Sequence, residues 1–116
     1  MMIKINGKVI TLLGDKIKSI TYRNGSVFFI DNDVVNLKNI TDDYIVNIEI
    51  NGDVAGDIIT NGNVTVLGNC NNVDANGNVE IGGNINGNVD TNGDVYCSGD
   101  ITGDIDANGR VSISRK

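Results

Sequence analysis

NGNVEIGGNINGNVDT, residues Asn76 to Thr91, is followed at once by NGDVYCSGDITGDIDA, residues Asn92 to Ala107. The two stretches align without a gap over 16 residues. Upstream, IVNIEINGDVAGDIIT at Ile45 to Thr60 repeats the pattern, and NGNVTVLGNCNNVDA at Asn61 to Ala75 fits once a single residue is deleted near Asn72. A truncated copy runs from Asn108 to Ser114. A period this short makes the second half of the chain a stack of equivalent turns rather than one compact core.

With Asn76 as the first place of a turn, the fourth place holds Ile48, Val64, Val79, Val95 and Val111, and the sixth holds Ile50, Val66, Ile81, Cys97 and Ile113. The tenth holds Val54, Cys70, Ile85 and Ile101, the fourteenth Ile58, Val73, Val89 and Ile105, and the sixteenth Thr60, Ala75, Thr91 and Ala107. Every apolar column is even. Side chains alternate between faces along a strand, so an even-only apolar set turns one face of the whole winding inward and leaves the odd places to solvent. A helix is excluded. Glycine at the eighth place (Gly52, Gly68, Gly83, Gly99) and the twelfth (Gly56, Gly87, Gly103) marks corners, where a side chain would crowd the bend or a positive φ is needed. The pattern predicts an all-β, single-stranded parallel β-helix (β-solenoid) of 16-residue turns, about four and a half in number over residues 45–116. Its section is a small triangle or a flattened oval.

Residues 1–44 break the period. Ile3 to Ile5 and Val9 to Thr11 flank Asn6-Gly7, and Ile20 to Tyr22 and Val27 to Phe29 flank Asn24-Gly25; each reads as a hairpin closed by a type I′ turn. Asp31 to Asp43 reads as an irregular connection into the first turn. The segment is expected to form an N-terminal β-hairpin cap that covers one end of the stack, whose edge would otherwise offer unpaired backbone groups to any arriving strand. After Ile113 only Ser114, Arg115 and Lys116 follow, so the opposite edge is expected to be open.

The chain carries 9 Lys and Arg against 15 Asp and Glu, a net charge of −6, and no histidine. With no basic stripe and few aromatic residues, nucleic acid is not an expected partner. The start MMIKINGKVITLLGD lacks the apolar core of a secretion signal and no run is long enough to span a membrane, so the cytoplasm is the expected location. Cys70 and Cys97 fall on inward places two turns apart, too far for a disulfide, and read as small apolar core groups.

Among the outward columns, place three runs Asn47, Asn63, Asn78, Asp94, Arg110, and place nine runs Asp53, Asn69, Asn84, Asp100. Neutral amides separate most of the carboxylates, and Asn61, Asn76, Asn92 and Asn108 make a candidate amide ladder. Asp74, Asp90 and Asp106 occupy place fifteen on consecutive turns, and the readings of them are a solvated acidic face, a cation site and, by spacing alone, the carboxylate pair of a retaining glycosidase. No nucleophile-base pair, ligand cluster or phosphate loop accompanies them, so no catalytic residue and no cofactor is expected.

GDITGDIDANGRV at Gly99 to Val111 and GDVAGDI at Gly52 to Ile58 resemble the bactofilins, bacterial polymer-forming cytoskeletal proteins, and small Gly/Asn-rich β-helix proteins of bacteria and phages. The resemblance covers roughly residues 45 to 114. It implies a triangular β-helix that polymerises end to end without nucleotide. A capped N-terminal end and an open C-terminal one point instead to a closed dimer or trimer. The functional expectation is a non-enzymatic assembly protein that self-associates as a homo-oligomer or short filament, with Gly109, Val111 and Ile113 at the contact. The alternative is a phage- or host-encoded module that captures a small ligand or protein partner at the cap or a subunit interface through Lys16, Lys18, Tyr22, Arg23 and Phe28.

Overall fold

A computed structural model of the chain describes residues 2–11, 16–23, 27–30, 33–36 and 45–113; within these, the side chains at 16, 23, 27–29 and 33–36 are not described. It is an all-β solenoid of about four turns. The first full turn comprises β7 (Ile48–Asn51), β8 (Asp53–Val54) and β9 (Asp57–Ile59). The pattern then continues through β10 (Val64–Val66), β11 (Asn72–Ala75), β12 (Val79–Ile81), β13 (Val89–Thr91), β14 (Val95–Cys97), β15 (Ile105–Ala107) and β16 (Val111–Ile113). Neighbouring turns pair in parallel with the register of the sequence columns: Val64 lies beside Ile48, Val79 beside Val64, Val95 beside Val79 and Val111 beside Val95. A second ladder stacks Ile58, Val73, Val89 and Ile105. A third and narrower one joins Cys70, Ile85 and Ile101 through single bridges. Three separate ladders per turn give a three-sided section.

The even places fill the interior. Val64, Val66, Ile81, Ile85, Val89, Val95 and Cys97 are buried, and the odd places between them face solvent. Fully burying each such aliphatic group is worth roughly 1.5 to 3 kcal/mol, a gain available only when the next turn is present, so the turns stabilise one another. Thr60 and Thr91, the polar members of the sixteenth place, are buried too, and their hydroxyls donate within their own turns to the carbonyls of Val46 and Gly77.

The one-residue deletion sits at the corner after Cys70. Asn72 pairs with Asp57 and Val73 with Ile58, while Cys70 keeps its place beside Ile85. The corner therefore closes with one residue fewer and both flanking columns stay in register.

What makes the corners repeat is a side chain reaching from one turn to the next. At place three, the Oδ1 of Asn47 accepts the amide N–H of Asn63 (2.9 Å), Asn63 that of Asn78 (2.8 Å), Asn78 that of Asp94 (3.0 Å) and Asp94 that of Arg110 (2.9 Å). Place nine does the same through Asp53, Asn69, Asn84 and Asp100 at 2.8, 2.8 and 2.9 Å. Place thirteen does so through Asn72, Asn88 and Asp104, both at 2.9 Å. Each unit is tied a second time, because the residue after it donates its N–H to the carbonyl of the same unit one turn on, as Val64 does to Asn78 and Ile85 to Asp100 (both 2.9 Å).

These side chains explain the glycines. A Cβ on Gly83 would lie closer than 3.0 Å to Asn69 Oδ1 and to the Gly68 carbonyl, and one on Gly99 would meet Asn84 Oδ1 and the Gly83 carbonyl. Positive φ is not the reason: among the described residues it is confined to Asn6, Gly7 and Gly52. Close approach, rather than handedness of the bend, selects glycine at Gly68, Gly83 and Gly99.

The N-terminal segment is a cap, and it is also a partial turn. β1 (Met2–Ile5) and β2 (Lys8–Thr11) form the first expected hairpin, with φ of 50° at Asn6 and 85° at Gly7 as a type I′ turn requires. β1 lies antiparallel on β7, placing Ile5 beside Ile48 and Ile3 beside Ile50. β3 (Lys16–Ile17) and β4 (Ile20–Arg23) then run parallel to β8 and β9, with Ile17 beside Val54 and Ile20 beside Ile58. Ile3, Ile5, Ile17 and Ile20 are all fully buried. Asn6 extends the place-three ladder upward, its Oδ1 accepting the Asn47 N–H at 2.7 Å.

β4 pairs antiparallel with β5 (Val27–Ile30), the second expected hairpin, whose Asn24-Gly25 turn lies outside the described residues. The sequence reading of Asp31 to Asp43 as irregular is corrected in part. Asp33–Asn36 forms β6, paired antiparallel with β5. Two adjacent valines between polar neighbours give no alternation to read, and pairing to an existing edge supplies the order. The remainder of that stretch lies outside the described residues.

Replacing Gly83 by Ala is expected to cost about 3 kcal/mol, because the Asn69 side chain and the Gly68 carbonyl are both held by the previous turn. Gly7→Ala meets no atom within 4 Å and carries only its positive φ, about 1 kcal/mol. Urea unfolding of the two variants measures the difference.

Candidate functional site

Three places proposed from the sequence have different fates in the fold: the last turn, the aspartate column and the cap surface. The last turn is built like those before it. Gly109 donates its N–H to the Gly93 carbonyl (3.0 Å), Val95 donates to the Arg110 carbonyl (2.8 Å), and Asn108 Nδ2 donates to Asn92 Oδ1 (3.0 Å). A Cβ at Gly109 would collide with Asp94 Oδ1 and the Gly93 carbonyl, so Gly109 is a corner residue. Its neighbours Val111 and Ile113 stand in the two columns whose preceding members, Val95 and Cys97, are 1% and 0% exposed. Val111 and Ile113 are 45% and 44% exposed. Ile101, Ile105 and Ala107, the last members of the other inward columns, are only partly buried. Among the described residues no strand pairs with the outer edge of β15 or β16.

Arg110 sits where every earlier turn has Asn or Asp. Its guanidinium has no acceptor, so the place-three ladder that began at Asn6 ends there. The other two ladders end on carboxylates, Asp100 and Asp104.

Asp74, Asp90 and Asp106 are direct register partners on three adjacent strands. They stand on an outer face with Asp57, Ile59, Asn72 and Asn88, and a shallow hollow follows that face. The carboxylates run along the column and do not converge; among the described residues no group of three or more acidic, cysteine or histidine side chains is placed to hold a metal ion. The amide ladder at the first place is present in part, through Asn76, Asn92 and Asn108 at 3.4 and 3.0 Å, while Asn61 Oδ1 instead accepts the Val46 N–H at 2.9 Å. The more regular ladders are those to the backbone at places three, nine and thirteen. The columns of amides and carboxylates at places three and nine are visible in the sequence, whereas place thirteen and the backbone N–H as donor emerge only from the stacked geometry.

At the cap, Lys18 is exposed and Tyr22 is half-buried against the core. Lys16, Arg23 and Phe28 belong to β3, β4 and β5, and their side chains lie outside the described residues. Lys16 and Lys18 flank the buried Ile17 on the short strand over β8, whereas Tyr22 and Phe28 are cross-strand partners in the hairpin. The five residues are thus divided between the β3 segment and the β4–β5 hairpin, which belong to different sheets.

Cys70 and Cys97 are free thiols, both buried. Cys97 Sγ lies 3.3 Å from the Gly83 carbonyl, to which it donates. Burial pushes the Cys70 thiol up from an ordinary 9.0 to about 12, with the neighbouring Cys97 adding to the effect. No helix among the described residues is long and apolar enough to cross a membrane. No family model, curated protein or solved structure matches the chain.

The raised thiol has a consequence for stability. The folded state holds Cys70 protonated, while the unfolded chain ionises it from about pH 9, so the stabilisation is complete below pH 9 and is lost as the pH climbs toward 12. Denaturation followed between pH 8 and 11 is expected to show this decline in the parent protein and a shallower one in Cys70→Val.

Proposed function

We propose that this chain is a non-enzymatic assembly module, bactofilin-like in its use of a β-solenoid, that works in the cytoplasm and associates with copies of itself through its C-terminal turn. The observation that carries the reading is the exposure of Val111 and Ile113 at 45% and 44% in columns whose members from Ile48 and Ile50 to Val95 and Cys97 are buried. Beside them run the outer edges of β15 and β16, whose backbone groups have no strand partner among the described residues. An exposed apolar turn beside strand edges without a partner among the described residues can be covered by a second copy, which supplies both apolar area and backbone partners. Covering what remains exposed of each aliphatic group is worth about 1 kcal/mol per side chain, and both copies contribute, which is a useful part of the cost of association. The two unpaired thiols suit a reducing compartment.

Sedimentation of the full chain tests the proposal. The parent protein is expected to associate in the micromolar range, and Val111→Asp with Ile113→Asp to remain monomeric with little change in melting temperature, since both side chains are already half in water. A parent protein that stays monomeric at high micromolar concentration, or one whose association ignores these two substitutions, contradicts it.

A further inference from the structure

The two ends of the solenoid differ in what stands on the inward columns. At the C-terminal end the last turn carries Ile101, Ile105, Ala107, Val111 and Ile113 there, with no charge among them. At the N-terminal end the outermost strands of the two large sheets, among the described residues, are β2 and β6. Lys8 pairs with Ile5, and Ile5 with Ile48, so Lys8 occupies the column of Ile48, Val64, Val79, Val95 and Val111. Its side chain is exposed at the top of that column. Asp33 pairs with Ile30, Ile30 with Ile20, and Ile20 with Ile58, which gives Asp33 the register position of the column of Ile58, Val73, Val89 and Ile105. Each N-terminal edge therefore carries a charge in a column that is aliphatic in every turn below it.

Strand direction does not protect this end. β2 is antiparallel to β1, and β1 is antiparallel to β7, so two reversals restore the direction of the ladder. β6 regains it in the same way through β5 and β4. Among the described residues both outer strands run as a further turn would, and what opposes growth there is the charge at the inward register positions of Lys8 and Asp33. A charge at an inward position of an edge strand is a recognised means of preventing edge-to-edge pairing, because the incoming strand would have to bury it against apolar groups.

Resting on the self-association proposed above, we infer that Lys8 and Asp33 guard the N-terminal end, and that the partner of the C-terminal turn is the C-terminal turn of a second copy, in a closed two-fold pair. The alternative arrangement, N-terminal end against C-terminal end, has charge in its favour. Residues 45–113 hold ten acidic residues and one basic, whereas residues 1–23 hold five basic and one acidic. The acidic residues of 45–113 stand almost all exposed on outer faces, where they steer encounter and are screened by salt. Lys8 would be set directly over Val111 of the neighbour, inside the contact. The interior position decides against that arrangement, and an isologous contact closes after two copies.

Sedimentation of the full chain as a function of concentration and salt tests this, with Lys8→Val and Asp33→Val introduced together. The parent protein is expected to reach twice the monomer mass and stop, and to associate more tightly as salt rises and acidic rims are screened. The double variant is expected to grow beyond the dimer. Parent species larger than a dimer, association that weakens with salt, or a double variant no larger than the parent would each overturn the inference. Should the double variant not fold, Lys8→Val alone is read the same way, because that side chain is exposed. A monomeric parent would remove the proposed function; association gained only by the double variant would then still establish the guard.

Discussion

An Asn or Asp side-chain oxygen that accepts the amide of its own counterpart one turn later is the interaction on which the remainder of this fold depends. At the strands, parallel pairing alone would hold neighbouring turns, but at the corners the backbone bends and the ladder would leave donors unmet. The Oδ1 of Asn63, Asn69 or Asn88 meets them. To do so it must pass close to the following turn, and glycine at Gly77, Gly83 or Gly103 is what leaves it room. Sequence, corner and stacking distance are therefore one constraint. The Gly-Asx-aliphatic triplet recurs because each of its members is specified by the turn beside it: glycine by the previous side chain, Asx by the next amide, and the aliphatic residue by the interior.

This coupling explains which parts of the structure were legible in the sequence. The inward columns were readable because burial acts on every turn equally, and a period repeated four times leaves little ambiguity. The reason for glycine was not readable, since crowding and positive φ select the same residue and only the stacked geometry separates them. The cap was legible as hairpins but not as a turn. β1 enters reversed, so Ile3 and Ile5 meet Ile50 and Ile48 in the opposite order. Ile17 and Ile20 are one residue closer together than Val54 and Ile58, which hides them from a 16-residue search. The same shortening occurs between Cys70 and Val73, which marks it as an allowed variation of that corner. β6 was missed because Val34 and Val35 do not alternate with polar residues, and an edge strand takes its order from its neighbour.

The contrast between a covered N-terminal end and an exposed C-terminal turn was anticipated from the hairpin signals and the truncated repeat; the charged residues in the inward columns of the N-terminal edge, Lys8 and Asp33, were not. Ile3, Ile5, Ile17 and Ile20 are fully buried toward one end, while Val111 and Ile113 are about half exposed at the other. Arg110 adds a chemical difference, for a donor-only side chain ends a ladder that acceptors had carried from Asn6 onward. The aspartate column, by contrast, contributes an acidic outer face and nothing that converges. The proposed assembly uses the ends because the sides repeat and the corners are occupied in joining one turn to the next.

Amide hydrogen exchange tests the corner coupling most directly. Asn63, Asn78, Asn84 and Asn88 are surface residues, and surface amides ordinarily exchange quickly; here each donates to a side chain of the preceding turn. Their amides are expected to exchange as slowly as those of Val64, Val79, Ile85 and Val89, which follow them in the chain and are buried. Rapid exchange at the four asparagines alongside protected valines and isoleucine would contradict the account, because the turns would then be joined by their strands and interior alone.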